Sequence, residues 1–427
     1  MWPVKRPAVT GEMREITVGA IRGYKKEFLL CAVATLPTLA HGATMDGCTL
    51  QNGYSWRPAL TDDVASTSLA CPSWPNGRGH CAERDVYNFH PGGGKSCNRH
   101  WWRPAALNYE NFARVLDGRT IRLIGDSVSG DHYGYLTRCV LNCSFTEAQT
   151  GNMGLLNTKK RREWADELAA AGHEPDAIEW SLKHLMSVSA KGQYAAGCAV
   201  GRGRIDYRRV NNLPGIERWS KHNTTHEKVL AACMHILLYT PESRRLTPRD
   251  VVLMNFGLHQ PHKLRAQVNG MLQWWRKAAV NSHLPRLLWR QTSPQHWPLA
   301  PSGQFRSFSD VGATRSRPCR GVPSILGNQR TAALALYDRN VTADVIDLAQ
   351  QLEHKPHHTR ADVLHVFTAS WERSEDHPIL RPGALSLSAA QISKFARNDS
   401  LADCTHFCIP GSTYRFWSQA LLAWLAR

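Results

Sequence analysis

Acidic residues are scarce in this chain: 35 Asp and Glu stand against 52 Lys and Arg in 427 residues, for a formal net charge of +17. Three of those charges fall in residues 1–43, so +14 remains on the rest. A surface of that sign draws polyanions through its long-range field, and it also simply keeps a protein dissolved. The polyanion is not expected to be nucleic acid, because RNP, zinc-finger and helix-turn-helix patterns are all missing. Paired CxxC motifs and Cys/His zinc spacings are missing too, so no metal and no bound cofactor is expected. Long apolar runs are the third absence. A membrane span needs about 20 apolar residues, and the longest run, Phe28–Ala40, has 13. With 42% hydrophobic and 20% charged residues the composition is that of an ordinary folded protein, not a disordered one.

That short apolar run has its own meaning. Lys25-Lys26 precede it and the small residues His41-Gly42-Ala43 follow, which is the n-, h- and c-region pattern of a secretory signal. Residues 1–43 are therefore expected to be a signal peptide or a short signal-anchor, which would put the rest in the secretory pathway, in the Golgi lumen or outside the cell. Membrane contact is expected only if this segment is retained.

Cysteine usage agrees with an oxidising compartment. Eleven cysteines follow Cys31, an odd count that leaves at least one thiol unpaired or intermolecular. Sequons at Asn142, Asn223, Asn340 and Asn398 suit a glycoprotein of that compartment, Asn142-Cys-Ser being the weakest acceptor.

Residues 44–118 are rich in Cys, Gly, Pro and Trp and show little periodicity, as a loop-rich, disulfide-stapled segment would. Trp101 and Trp102 could stack on sugar rings, but in a small stapled segment a Trp more often forms the core. Residues 119–427 alternate strand-like and helix-like patterns, which predicts an α/β domain with a mainly parallel sheet flanked by helices. Within it, residues 147–235 hold a charged helical stretch with Trp164, Leu168 and Ala171 on one stripe. This stretch is expected to form an inserted lobe with a solvated charged face.

The chemistry gathers at predicted strand ends. In Arg119–Asp131, RTIRLIGDSVSGD, the buried-strand run Ile121, Leu123, Ile124 stops at Gly125-Asp126-Ser127. The carboxyl end of such a strand is where open α/β sheets bind ligands, and a helix beginning there offers free backbone N–H groups. Tyr133–Leu141 is expected to be that helix. A serine nucleophile needs a base within hydrogen-bond reach and a third group to orient the base. Asp403 and His406, three residues apart in DCTHFCIPG, can supply both from one turn; Asp376-His377 is the competing pair. Two more strand ends carry polar groups. DVVLMNFGLHQ at 250–260 offers the Asn255 amide and the Gly257 N–H as oxyanion donors, each typically worth roughly 2.7–4 kcal/mol of barrier. LLWRQTSPQHW at 287–297 ends its strand in Arg290.

GDS followed by DxxH resembles the SGNH/GDSL hydrolase superfamily. The DCxHxCxPG form is similar to the PC-esterase branch that contains the trichome-birefringence-like polysaccharide O-acetyltransferases of plants. The strand-NFG and strand-SPxH blocks stand in that family's order. The resemblance implies an SGNH-like fold in which the Cys-rich segment and the insert form a second lobe. It implies a catalytic triad of Ser127, His406 and Asp403, an oxyanion hole from Ser127, Gly257 and Asn255, and substrate contacts from Arg290 and His259. It also implies disulfides Cys319–Cys404 and Cys81–Cys408, while the sequons make Asn223, Asn340 and Asn398 the expected glycosylation sites. The function implied is acetyl transfer to a cell-wall or secretory polysaccharide, an acidic one suiting the charge. An acetyl donor would be the co-substrate and the enzyme would act as a monomer. An acetyl esterase and a glycan-binding wall protein are the alternatives.

Overall fold

In the computed structural model the described residues are 55–58, 87–90, 107–143, 158–189, 195–214, 225–239, 245–256, 261–281, 283–294, 329–353, 360–371, 373, 377, 406–409 and 411–427. The chain divides into two compact units. One, residues 1–54 with 91–98, lies outside the described residues, and all that follows concerns the other. The expected leader and most of the Cys-rich segment, Trp101 and Trp102 included, fall outside the description.

Two short strands, β1 (Ser55–Pro58) and β2 (Tyr87–His90), pair antiparallel with each other. The main sheet has six strands: β3 (Thr120–Gly125), β4 (Ala195–Val200), β5 (Gly203–Arg209), β6 (Val251–Asn255), β7 (Arg286–Arg290) and β8 (Ala361–Leu364). They lie in the order β4-β5-β3-β6-β7-β8, all neighbours parallel except the edge pair β4-β5. The expected mainly parallel α/β sheet is therefore present. From β3 the chain goes first to one side, then returns to the other, so β3 and β6 flank the topological switch point.

The sequence explains the pieces. Every residue of β3 and of β6 is buried, as parallel strands covered on both faces require, so both read as near-continuous apolar runs. Helix α1 (Tyr109–Leu116) starts on Asn108, whose side chain accepts from Asn111 N at 3.0 Å. It ends at Asp117 and Gly118, both at positive φ, and that turn feeds β3. Gly201, with φ of 57°, opens the two-residue turn between β4 and β5.

Helices cover both faces. On one lie α3 (Thr158–Ala170), α4 (Pro175–Ser189), α5 (His226–Leu238), α6 (Pro261–Asn281) and α7 (Gln329–Glu353). Trp164, Leu168, Ile178, Leu230, Met271 and Val345 from these helices share one core with Ile124, Met254 and Trp289 from the strands. Helix α2 (Ser127–Tyr135) and α9 (Ser412–Leu425) lie on the other face, where Trp424 of α9 donates to Asp362 of β8 at 2.7 Å. A five-residue helix, α8 (Phe367–Trp371), follows β8.

Arg122 is the one charge inside β3. Its side chain is 0% exposed and donates to the carbonyls of Leu237 and Leu238, at 2.9 and 3.0 Å, and to Asp206 at 3.1 Å. A cation thus caps the carboxyl end of α5, where the helix dipole is negative.

Three expectations change here. The described residues of 147–235 do not stand apart as a lobe: α3, α4 and α5 sit in the common core, and residues 195–209 supply two strands of the main sheet. Ala171 is exposed, one residue past the end of α3, while Trp164 and Leu168 are buried as expected. The helix after the serine starts at Ser127 itself and continues through a π-helical turn, Leu136–Val140. Cys143, just beyond it, is bonded to Cys198 of β4. Cys139 and Cys408 are also in disulfides, and Cys233 is a buried free thiol. Cys81, Cys319 and Cys404 lie outside the described residues.

Candidate active site

The site begins at the carboxyl end of β3. Gly125 pairs in register with Asn255 of β6, and the two backbones approach so closely that a Cβ on Gly125 would overlap the Asn255 carbonyl oxygen and Ser129 Oγ. The glycine is thus demanded by proximity. Asp126 then caps α2, its carboxylate accepting from Val128 N at 3.1 Å. Ser127 is the first residue of the helix, so its N–H is among those with no intrahelical acceptor. Tyr207 of β5 donates its hydroxyl to the Asp126 carbonyl at 2.9 Å, holding the turn from the other side.

Ser127 Oγ lies 2.7 Å from His406 Nε2. That is hydrogen-bond distance for a nucleophile and its base. The serine is 6% exposed, and the histidine is half-buried. A buried neighbour secures the His406 loop: His377 Nδ1 donates to the His406 carbonyl at 2.5 Å, and its ring stacks on Phe407 at 4.4 Å. Phe407 in turn meets Tyr414 and Trp417 of α9 edge to face, at 5.8 and 5.7 Å. A Cβ on Gly411 would overlap the Cys408 carbonyl, so the turn from the loop into α9 closes on glycine. His377, expected as a rival base, binds the backbone of His406 instead.

Behind the serine lies a polar network that the sequence did not announce. Asn255 Nδ2 donates to the Arg290 carbonyl at 2.8 Å and to Thr292 Oγ1 at 3.4 Å, while its Oδ1 accepts from Arg290 Nη2 at 2.8 Å. Its amide is therefore spent on β7 and not turned toward an oxyanion. Arg290, expected to meet a donor or an acidic sugar, is 1% exposed. It also donates to Ser129 Oγ at 3.2 Å and lies over the Trp417 ring at 4.3 Å. Burial lowers it to about 10, partly offset by the charge of Asp126, so it stays a cation at neutral pH. Asp338 of α7 accepts from Thr292 N at 2.6 Å, and burial pushes its carboxyl up to about 7. His132 of α2 is fully buried, with Nε2 3.2 Å from Ser418 Oγ, and burial holds it well below the ordinary imidazole value, hence neutral.

Asp403, Gly257 and His259 lie outside the described residues, as do Asn223 and Asn398. Asn340 is half-buried inside α7 with Val341 and Thr342 buried beside it. Among the described residues no group of His, Cys, Asp or Glu is arranged to hold a metal ion, and no helix is long and apolar enough to cross a membrane. One signal for the missed network was available: Asp338 stands three residues before Val341 on the buried stripe of α7, an acid where the helix turns its apolar side inward.

No family model matches the chain, and a comparison with curated proteins finds no match either.

Proposed function

We propose that the protein is a serine-dependent acetyltransferase that O-acetylates a polysaccharide in the secretory pathway, working through an acyl-enzyme on Ser127. The observation that carries the reading is the 2.7 Å approach of Ser127 Oγ to His406 Nε2 at the switch point of the sheet. His406 takes the serine proton as Oγ attacks the acetyl carbonyl. The leaving group departs with that proton, and acetyl remains on Oγ. His406 next deprotonates a sugar hydroxyl, the hydroxylate attacks the acyl-enzyme, and the proton returns to the serine. Asp403 is assigned the Nδ1 side of His406, and the Ser127 and Gly257 N–H groups the oxyanion.

The disulfide Cys143–Cys198 suits an oxidising compartment. The excess of basic residues suits an acidic acceptor. Water in place of the sugar makes the same machinery an esterase, and a glycan-binding protein would have no use for the serine-histidine contact. No resident cofactor enters the scheme, the acetyl donor being a co-substrate, and the protein is taken to act as a monomer.

The test is intact mass after incubation with an activated acetyl ester, with and without xylan and pectin fragments. One acetyl group on the protein that moves to a sugar is expected, and Ser127→Ala should lower turnover on the order of 10⁶-fold. Acetate release indifferent to sugar would make it an esterase. Absence of any adduct, or full turnover by Ser127→Ala, would sink the acyl-enzyme.

A further inference from the structure

The amino-terminal edge of the sheet, at the far end of the strands from Ser127, holds a second concentration of chemistry. The strand register sets Arg119, just before β3, level with Arg249, two residues before β6, and sets Arg286, which starts β7, level with Arg360, just before β8, the second pair lying two residues further along the strands. Together with Arg114 from the last turn of α1 they line a cavity of about 420 Å³. At about 3.3 Å per strand residue this cavity lies roughly 20 Å from the serine.

Five arginines line it, Arg119 donating to the Val115, Leu116 and Leu425 carbonyls and Arg114 to Asn111 Oδ1, and the nearby carboxylates accept hydrogen bonds or ion pairs from other groups. Asp117, the acid on its wall, pairs with Arg202. Asp250 accepts from Thr120 N and Thr247 N, both at 2.6 Å, and from Thr247 Oγ1 at 2.8 Å. Asp362 is taken by Trp424 Nε1 and by Val363 N, both at 2.7 Å. Among the described residues none of the five arginines makes a salt bridge. Arg286 Cζ lies over the Trp424 ring, 4.3 Å from its centroid, and its Nε is buried with no hydrogen-bond partner. Burial and then the charge of Arg249 depress Arg119, offset in part by Asp117 and Asp250; burial and then Arg360 and Arg119 depress Arg286, offset in part by Asp362. Like charges held this close are costly unless an anion comes between them.

We infer that this cavity is a binding site for a compact, multiply charged oxyanion of the diphosphate class, separate from the serine site. Arginine forks match phosphate oxygens in pairs, and a volume of about 420 Å³ is in the range of small-ligand sites. An acidic glycan spreads one charge per sugar ring, whereas a diphosphate concentrates several within the reach of these five side chains. The inference does not depend on the acetyl-transfer reading.

Titration calorimetry of the full chain with pyrophosphate in physiological salt tests it, with oligogalacturonate as the competing probe. Saturable binding of one pyrophosphate per chain is expected. Arg249 and Arg360 are exposed, so Arg249→Ala and Arg360→Ala should leave the fold and the Ser127 labelling rate intact while weakening binding roughly tenfold each. No saturable binding would overturn the inference, as would wild-type affinity in both variants. Tighter binding of oligogalacturonate would overturn it too, and would give the cavity to acidic glycans.

Discussion

Asp338 makes the stability of this protein depend on pH in a direction opposite to that of most carboxylates. Its side chain is buried under the Thr292 amide, and burial moves it from 3.8 to about 7. A carboxyl that keeps its proton longer in the folded chain than in the unfolded one stabilises the fold fully below the unfolded value. That stability is lost as pH rises through the folded value. Each pH unit inside the window costs about 1.4 kcal/mol. Between pH 5 and pH 8 about two of those units are crossed, so Asp338 should remove about 3 kcal/mol. Asp338→Asn keeps an oxygen for the Thr292 amide but has no proton to lose. Denaturant unfolding followed by tryptophan fluorescence, run on both proteins at pH 5 and pH 8, isolates the effect, because the other titrations cancel in the difference. The wild type should lose about 3 kcal/mol more than Asp338→Asn across that range. Parallel curves, or a variant that loses more than the wild type, would show that the carboxyl is already ionised at pH 5.

Two further outcomes follow from the geometry around the serine. His377→Ala removes the hydrogen bond to the His406 carbonyl and the ring beneath Phe407, and should lower kcat for acetyl release or transfer roughly 10²-fold, with KM little changed, through misplacement of the base; an unchanged kcat would show that the loop holds without it. Gly125→Ala forces a methyl group into the Asn255 carbonyl and should cost about 3 kcal/mol of stability in chemical unfolding, whereas a variant as stable as the wild type would mean that β3 and β6 separate with ease.

How much of this could be read from the amino-acid sequence differs by element. β3, β6 and β7 were legible because parallel strands buried on both faces are continuous apolar runs, and each ends where a polar group stands. Helix α7 and helix α9 were legible from helical spacing. β4 and β5 were not: GRIDYRR carries Arg204, Asp206 and Arg208, and nothing local says that Asp206 is balanced by Arg122 of a neighbouring strand and by Arg204. β8 is short and carries Asp362 in its middle, so its apolar pattern is broken, and residues 367–371 turn into a helix. The Ser127 and His406 pairing could be anticipated from motif and chemistry. The inward turn of Arg290 could not, since a strand-end arginine reads the same whether it faces solvent or a buried asparagine.

The serine and its histidine are 279 residues apart in the chain. Contacts of that separation are among the last to become possible, since the chain is made from its amino end. At about 5–20 residues per second, His406 is synthesised roughly 15 to 60 s after Ser127. Over that interval Ser127 exists without its histidine, while the strands that flank it are made and can fold. The Ser127 hydroxyl therefore has no His406 imidazole at hydrogen-bond distance until the loop carrying His406 is made and set in place by the His377 and Phe407 stack. The fold thus carries a built-in delay between making Ser127 and bringing His406 to it.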